Sequence, residues 1–140
     1  MKRRPPGETI LVVDDDPWVL ALARDILAGE GYHLLEAPDG EDALRISEGY
    51  AGPIHLLLTD VVMPGMNGQE LAYRLRSIRS ETKVLFMSAF TIEFLADYGV
   101  ISGEPLITKP FTLAGLAHKV RETLDCRSLF ARSGGEGGRR

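Results

Sequence analysis

HLLLTDVVMPGMNG, residues 55–68, is the stretch whose reading decides this fold. Leu56, Leu57 and Leu58 follow one another without a polar break, and Thr59 and Asp60 close the run. A short, continuous apolar run of this kind is a strand buried on both faces, as in parallel sheets. Pro64-Gly65-Met66-Asn67-Gly68 comes next, a turn and helix cap that also shapes whatever Asp60 faces. Two other apolar runs end the same way. Ile10–Val13 ends in Asp14-Asp15-Asp16, and Leu106–Thr108 ends in Lys109. Three carboxylates and an ammonium at strand ends point to a divalent-metal site built around one reactive aspartate.

Strands and amphipathic stretches alternate outward from this segment. Strands are expected at 9–13, 32–37, 55–59, 83–87 and 106–108. Asp16 and Pro17 make a cap and first turn for a helix whose apolar residues are Val19, Leu22, Ala23, Ile26 and Leu27, ended by Gly29 and Gly31. Further helices are expected at 39–48, after Asn67 with Leu71, Leu75 and Ile78, at 91–98, and after Thr112 with Leu113, Leu116, Val120 and Leu124. Five strand-helix pairs in strict alternation predict a doubly wound α/β fold, a parallel sheet with helices on both faces. Ligands of such sheets bind beyond the carboxyl ends of the strands, where Asp14, Asp15, Asp60, Ser88 and Lys109 all fall.

The chain has 140 residues, enough for one domain with one core. Residues 8–126 are expected to form it. Residues 1–7 read as a loose basic, Pro-rich extension and 127–140 as a flexible Gly-rich tail. A net charge of -4 argues against direct DNA binding. No apolar run approaches the ~20 residues of a membrane helix, and residues 1–7 lack the apolar core of a signal peptide. Cys126 is the single cysteine, so no internal disulfide forms and a reducing, cytoplasmic setting is expected.

Clustered carboxylates stay ionised together only with a cation between them. Oxygen donors without a His/Cys cluster favour Mg²⁺ or Mn²⁺ over zinc. An aspartate beside such an ion can attack a phosphoryl group, with Lys109 and the metal neutralising the developing charge and the Ser88 hydroxyl bonding the group. Taken singly these residues read blandly: an acidic run is usually a solvated turn or cap, and Asp16 keeps that role. His33, His55 and His118 lack ligand spacing and are expected to be structural or exposed. Phe90, Phe94, Leu95 and Tyr98 read as core and helix face. Trp18 is a candidate docking contact, or packs on the strand-end loops.

The segments ILVVDDDP (10–17), LLLTDVVMPGMNG (56–68), VLFMSA (84–89) and TKPF (108–111) resemble a response-regulator receiver, a CheY-like domain of two-component signalling. The wording of 61–72 and 84–91 is most similar to receivers of hybrid sensor histidine kinases. The resemblance implies a three-layer α/β/α fold with five strands in the order 2-1-3-4-5. It implies that Asp60 becomes an aspartyl phosphate and that Asp14 and Asp15 bind Mg²⁺ with the Val62 carbonyl. Ser88 would be the switch hydroxyl, Lys109 the phosphoryl contact, and Lys109–Pro110 a cis bond.

In such receivers the donor is a phosphohistidine on a histidine kinase or a phosphotransfer protein. The chain is then a phosphoacceptor switch rather than an enzyme, a monomer or weak homodimer that acts through protein contacts. The residues after Leu124 are too few for a DNA-binding output domain, so output runs through contacts, onward transfer or a larger chain. Apolar Val62 and Phe90 imply slow self-dephosphorylation, because neither can orient water. The sequence departs from the pattern at Leu106, where receivers usually carry Tyr or Phe, which keeps open a phosphorylation-independent interaction module. Asp14-x-Asp16 is also loosely similar to the motif of haloacid-dehalogenase-like phosphatases, though Trp18 stands where Thr or Val is usual.

Overall fold

The computed structural model describes residues 7–97 and 104–126. Residues 1–6, residues 127–140 and Tyr98, for which the sequence carried expectations, lie outside that range. The elements run β1 (Thr9–Val13), α1 (Pro17–Gly29), β2 (His33–Ala37), α2 (Gly40–Gly49), β3 (Leu56–Asp60), α3 (Gly68–Ile78), β4 (Lys83–Ser88), α4 (Ile92–Asp97), β5 (Leu106–Thr108) and α5 (Leu113–Asp125). The strands form one parallel sheet in the order β2-β1-β3-β4-β5.

The central strands are apolar throughout because both faces are covered. Ile10 and Val12 of β1, Leu56 and Leu58 of β3, and Leu85 and Met87 of β4 pack on Ala23, Ile26 and Leu27 of α1 and on Leu116 and Val120 of α5. Their neighbours Leu11, Val13, Leu57, Val84 and Phe86 face the other way, onto Ala43 of α2, Leu71, Ala72 and Leu75 of α3, and Leu95 of α4. The period of two along each strand thus makes two cores, one per face. Truncating a fully buried leucine such as Leu57 to alanine costs about 2–5 kcal/mol.

Some expectations need correcting. β3 begins at Leu56 and includes Asp60, and β4 continues to Ser88, because parallel bonding carries the ladder that far: Asp60 pairs with Met87, and Ser88 with Thr108. β2 starts at His33, one residue late. Leu22 is exposed. The buried stripe of α1 centres on Ala23 with Leu20 and Leu27 beside it, and Leu22 lies about 100° round the helix. Ile78 and Leu113, at the last and first positions of their helices, are also exposed.

Register places the site. Val13 pairs with Thr59, so the residues that follow them, Asp14 and Asp60, leave adjacent strands at the same level. Thr108 pairs with Ser88, and the Lys109 N–H donates to the Ser88 carbonyl at 2.8 Å.

Candidate functional site

Asp14 is fully buried, Asp60 nearly so, and Asp15 exposed. One carboxylate oxygen from each lies within 4.8 Å of the other two. The Lys109 ammonium donates to Asp14 Oδ2 at 2.9 Å and stands 3.5 Å from Asp60 Oδ1. The second Asp14 oxygen accepts the Asp16 N–H at 2.9 Å. Asp16 itself caps α1, accepting from the Trp18 N–H at 2.9 Å, so it turns away from the acidic cluster's chemistry.

Charge and burial act against each other here. Burial first, and then the Asp14 charge, push the Asp60 carboxyl up to about 6, although Lys109 pulls the other way. Burial alone would lower the Lys109 ammonium, but its hydrogen bond to Asp14 and the charge of Asp60 outweigh that and raise it. Lys109 therefore stays charged at neutral pH.

Ser88 is buried at the end of β4, and its Oγ accepts the Phe90 N–H at 2.9 Å. The Phe90 and Phe94 rings stack with centroids 4.7 Å apart, and both are partly exposed rather than core. Among the described members of that group, Leu95 alone is buried. Val62 is 48% exposed beside the cluster. Leu106 is half-buried and packs on the α2/α3/α4 core. The Lys109–Pro110 bond is cis.

Trp18 is 83% exposed, which leaves no room for the packing alternative. His55 is structural, its Nδ1 accepting the Thr9 N–H at 2.9 Å, while His33 stacks on Tyr50. One residue against the site carried no expectation beyond the turn. Gly68, the first of α3, donates its N–H to the Val61 carbonyl at 2.8 Å. The signal available was a glycine in a helical first turn, where most residues have better propensity.

The sequence pattern of the response regulator receiver domain matches residues 10–121. The chain belongs to this family. As a receiver domain it serves two-component phosphorelay signalling, and that membership removes the phosphatase alternative. It is similar to the response regulator receiver protein CpdR of Brucella abortus, 33% identical over 117 residues, which cover 82% of this chain and 95% of that one. It is also similar to the solved receiver domain of the hybrid histidine kinase CckA, at 37% identity and a TM-score of 0.69, covering 84% of this chain and 99% of the other. The response regulator TrrA of Thermotoga maritima, solved in complex with Mg²⁺-BeF, is 30% identical with a TM-score of 0.68, covering 83% and 98%.

This receiver spans 12% of a sensor kinase CckA and about half of several transcriptional regulatory proteins. Among its described residues no helix is long and apolar enough to cross a membrane. Its donor set suits a hard divalent cation, since the three candidate ligands, Asp14, Asp15 and Asp60, are all carboxylates.

Proposed function

We propose that this receiver accepts a phosphoryl group from a phosphohistidine onto Asp60 and that the phosphorylated form changes the proteins it contacts. The convergence of Asp14, Asp15 and Asp60 with Lys109 at one sheet end carries the proposal. Asp14, Asp15 and Asp60, with the Val62 carbonyl, would hold Mg²⁺ or Mn²⁺, which neutralises charge on the phosphoryl oxygens when bound.

In the transfer an Asp60 oxygen forms the new O–P bond while the N–P bond of the donor breaks. The electron pair returns to the imidazole nitrogen. Lys109, already 3.5 Å from Asp60, supplies a fixed positive charge to the transferred oxygens. The Ser88 hydroxyl donates to one of them, which couples the phosphoryl group to the Phe90 N–H and so to the start of α4. With its carboxyl at about 6, Asp60 is mostly ionised at neutral pH and competent as the attacking group.

The partner is a histidine kinase or a histidine phosphotransfer protein in the cytoplasm, with exposed Trp18 on α1 as a docking contact. The receiver works as a monomer or weak homodimer, alone or as a module of a hybrid kinase. Its output is by contact, without DNA binding or membrane insertion.

The test is intact mass after incubation with a phosphorylated histidine kinase domain. Gain of one phosphoryl group that requires Mg²⁺ and disappears in Asp60→Asn is expected. A wild-type chain that gains none, and shows no chemical-shift response to beryllofluoride with Mg²⁺, overturns it. That outcome favours a phosphorylation-independent interaction module, the reading that Leu106 at the switch position supports.

A further inference from the structure

α3 begins at Gly68, directly after its Asn67 cap. On propensity glycine is a poor choice inside a helix, about 1 kcal/mol worse than alanine. Its φ lies outside the left-handed region, so backbone conformation does not demand it either. Clearance does. A β-carbon at position 68 would stand 2.1 Å from the Asp60 carbonyl oxygen, 3.0 Å from the Asp60 carbonyl carbon and 3.1 Å from the Val61 Cα. All three are backbone atoms, so no rotamer change relieves the collision. The Gly68 N–H bond to the Val61 carbonyl holds the same two segments together. The first turn of α3 is therefore seated directly on the peptide that joins Asp60 to Val61.

Gly40 makes the contrast. It opens α2 after an Asp39 cap, as Gly68 opens α3 after Asn67. The three atoms nearest a β-carbon there all belong to the Met66 side chain, with the flexible Sδ closest at 2.8 Å. The two glycines hold the same helical position, but only one abuts the backbone that carries the phosphoacceptor.

We infer that Gly68 is a positioning residue for the phosphotransfer centre. By lacking a side chain it lets α3 close on the end of β3, and that closure sets where the Asp60 carboxylate and the Val62 carbonyl stand. The inference rests on the reading of Asp60 as phosphoacceptor. Any side chain at 68 must drive the Asp60-Val61 peptide and α3 apart by roughly 1 Å, and a misplacement of that size is enough to lower a reaction rate about 100-fold. A metal site is stricter, since its distances tolerate only about 0.2 Å.

The experiment compares wild type, Gly68→Ala, Gly40→Ala and Asp60→Asn in the full chain. Mg²⁺ affinity is read by calorimetry, beryllofluoride binding by its ¹⁹F spectrum, and folding by urea denaturation. Gly68→Ala is expected to unfold cooperatively yet bind Mg²⁺ and beryllofluoride at least tenfold more weakly, with a shifted or absent ¹⁹F signal. Gly40→Ala is expected to bind within twofold of wild type. Should Gly68→Ala be too unstable, the titrations are repeated in trimethylamine N-oxide, which favours the folded state. Wild-type affinity and spectrum in folded Gly68→Ala overturn the inference alone. Failure to fold even with the osmolyte also overturns it, because the glycine then serves the fold and not the site. A wild-type chain silent towards beryllofluoride sinks the Asp60 reading and this inference together.

Discussion

The Lys109 ammonium sits 2.9 Å from Asp14 Oδ2, across 95 residues of chain, and that carboxylate is fully buried. Neither group would be stable there alone. A buried carboxylate without its cation retains the desolvation penalty and loses the compensation. Register explains how the pair meets: Asp14 follows β1 and Lys109 follows β5, and Asp60 at the end of β3 stands between them.

Lys109→Ala removes the only ammonium the site holds among the described residues. The metal-free protein should lose about 3–5 kcal/mol at pH 7, the usual result of stripping one partner from a buried pair. Phosphotransfer to Asp60 should fall by about 100-fold, the typical loss when a fixed positive or hydrogen-bonding group is taken from developing charge. Urea denaturation and a timed phosphorylation assay read the two effects separately. Intact transfer in a folded variant would remove Lys109 from the mechanism.

Asp60→Asn should stabilise the metal-free chain. The folded carboxyl titrates at about 6, above its ordinary value of 3.8, so the folded state holds the proton more tightly than the unfolded one. The sign follows: folding is favoured below pH 3.8, loses ground as pH rises, and has lost the whole contribution above about 6. Two pH units of difference correspond to up to about 3 kcal/mol. The variant's advantage over wild type should be small at pH 4 and full at pH 8 in chelator. Saturating Mg²⁺ should shrink it, because the cation binds only the wild-type cluster well. An advantage independent of pH would contradict the electrostatic account.

Arg79 is a clamp far from the acidic cluster. Its guanidinium donates to the carbonyls of Ser47 at 2.8 Å, Tyr50 at 2.7 Å and Gly52 at 2.8 Å, tying the end of α2 and the loop before β3 to the end of α3. Arg79→Ala should destabilise by about 2–4 kcal/mol, since three carbonyls lose a charged donor at once. Mg²⁺ affinity should stay within about twofold, because none of these groups touches the site. A midpoint unchanged in urea would mean that water replaces the guanidinium without loss.

How much of this was legible in advance follows from what sequence encodes. Leu56 to Leu58, Ile10 to Val13 and Val84 to Met87 announced buried strands, because only two-sided burial tolerates such runs. Once the strands were placed, a parallel sheet forced Asp14, Asp60, Ser88 and Lys109 to one edge. Leu22 and Leu113 misled because side-chain type alone does not say how wide a helix's covered stripe is or where a helix overruns its sheet. Gly68 was hidden for a different reason. A glycine after Pro64-Gly65 reads as turn chemistry, and its contact with the Asp60 carbonyl exists only after α3 has packed. The ends of β3 and β4 were each set one residue short, since polar Asp60 and Ser88 look like loop while the ladder still bonds them.

On the proposed reading, the lifetime of the phosphorylated state should turn on Val62 and Phe90. Both lie beside the cluster with apolar, partly exposed side chains, and Phe90 is further held by its stack on Phe94. Hydrolysis of an aspartyl phosphate needs a water aligned opposite the Asp60 oxygen, and a side chain able to accept or donate a hydrogen bond lowers that barrier. Neither residue can do so, so a long-lived phosphoryl group is expected. Val62→Asn and Phe90→Glu should each shorten its half-life on the order of tenfold, less than the roughly 100-fold or more of a fully positioned acid or base, because nothing holds the new side chain in place. The decay is followed by intact mass after removal of the donor. Phe90→Glu leaves the Phe90 N–H bond to Ser88 in place, since that donor is backbone, so a changed rate reports on water and not on the switch hydroxyl. Rapid loss in wild type, unchanged by either substitution, would place the control of lifetime elsewhere in the site.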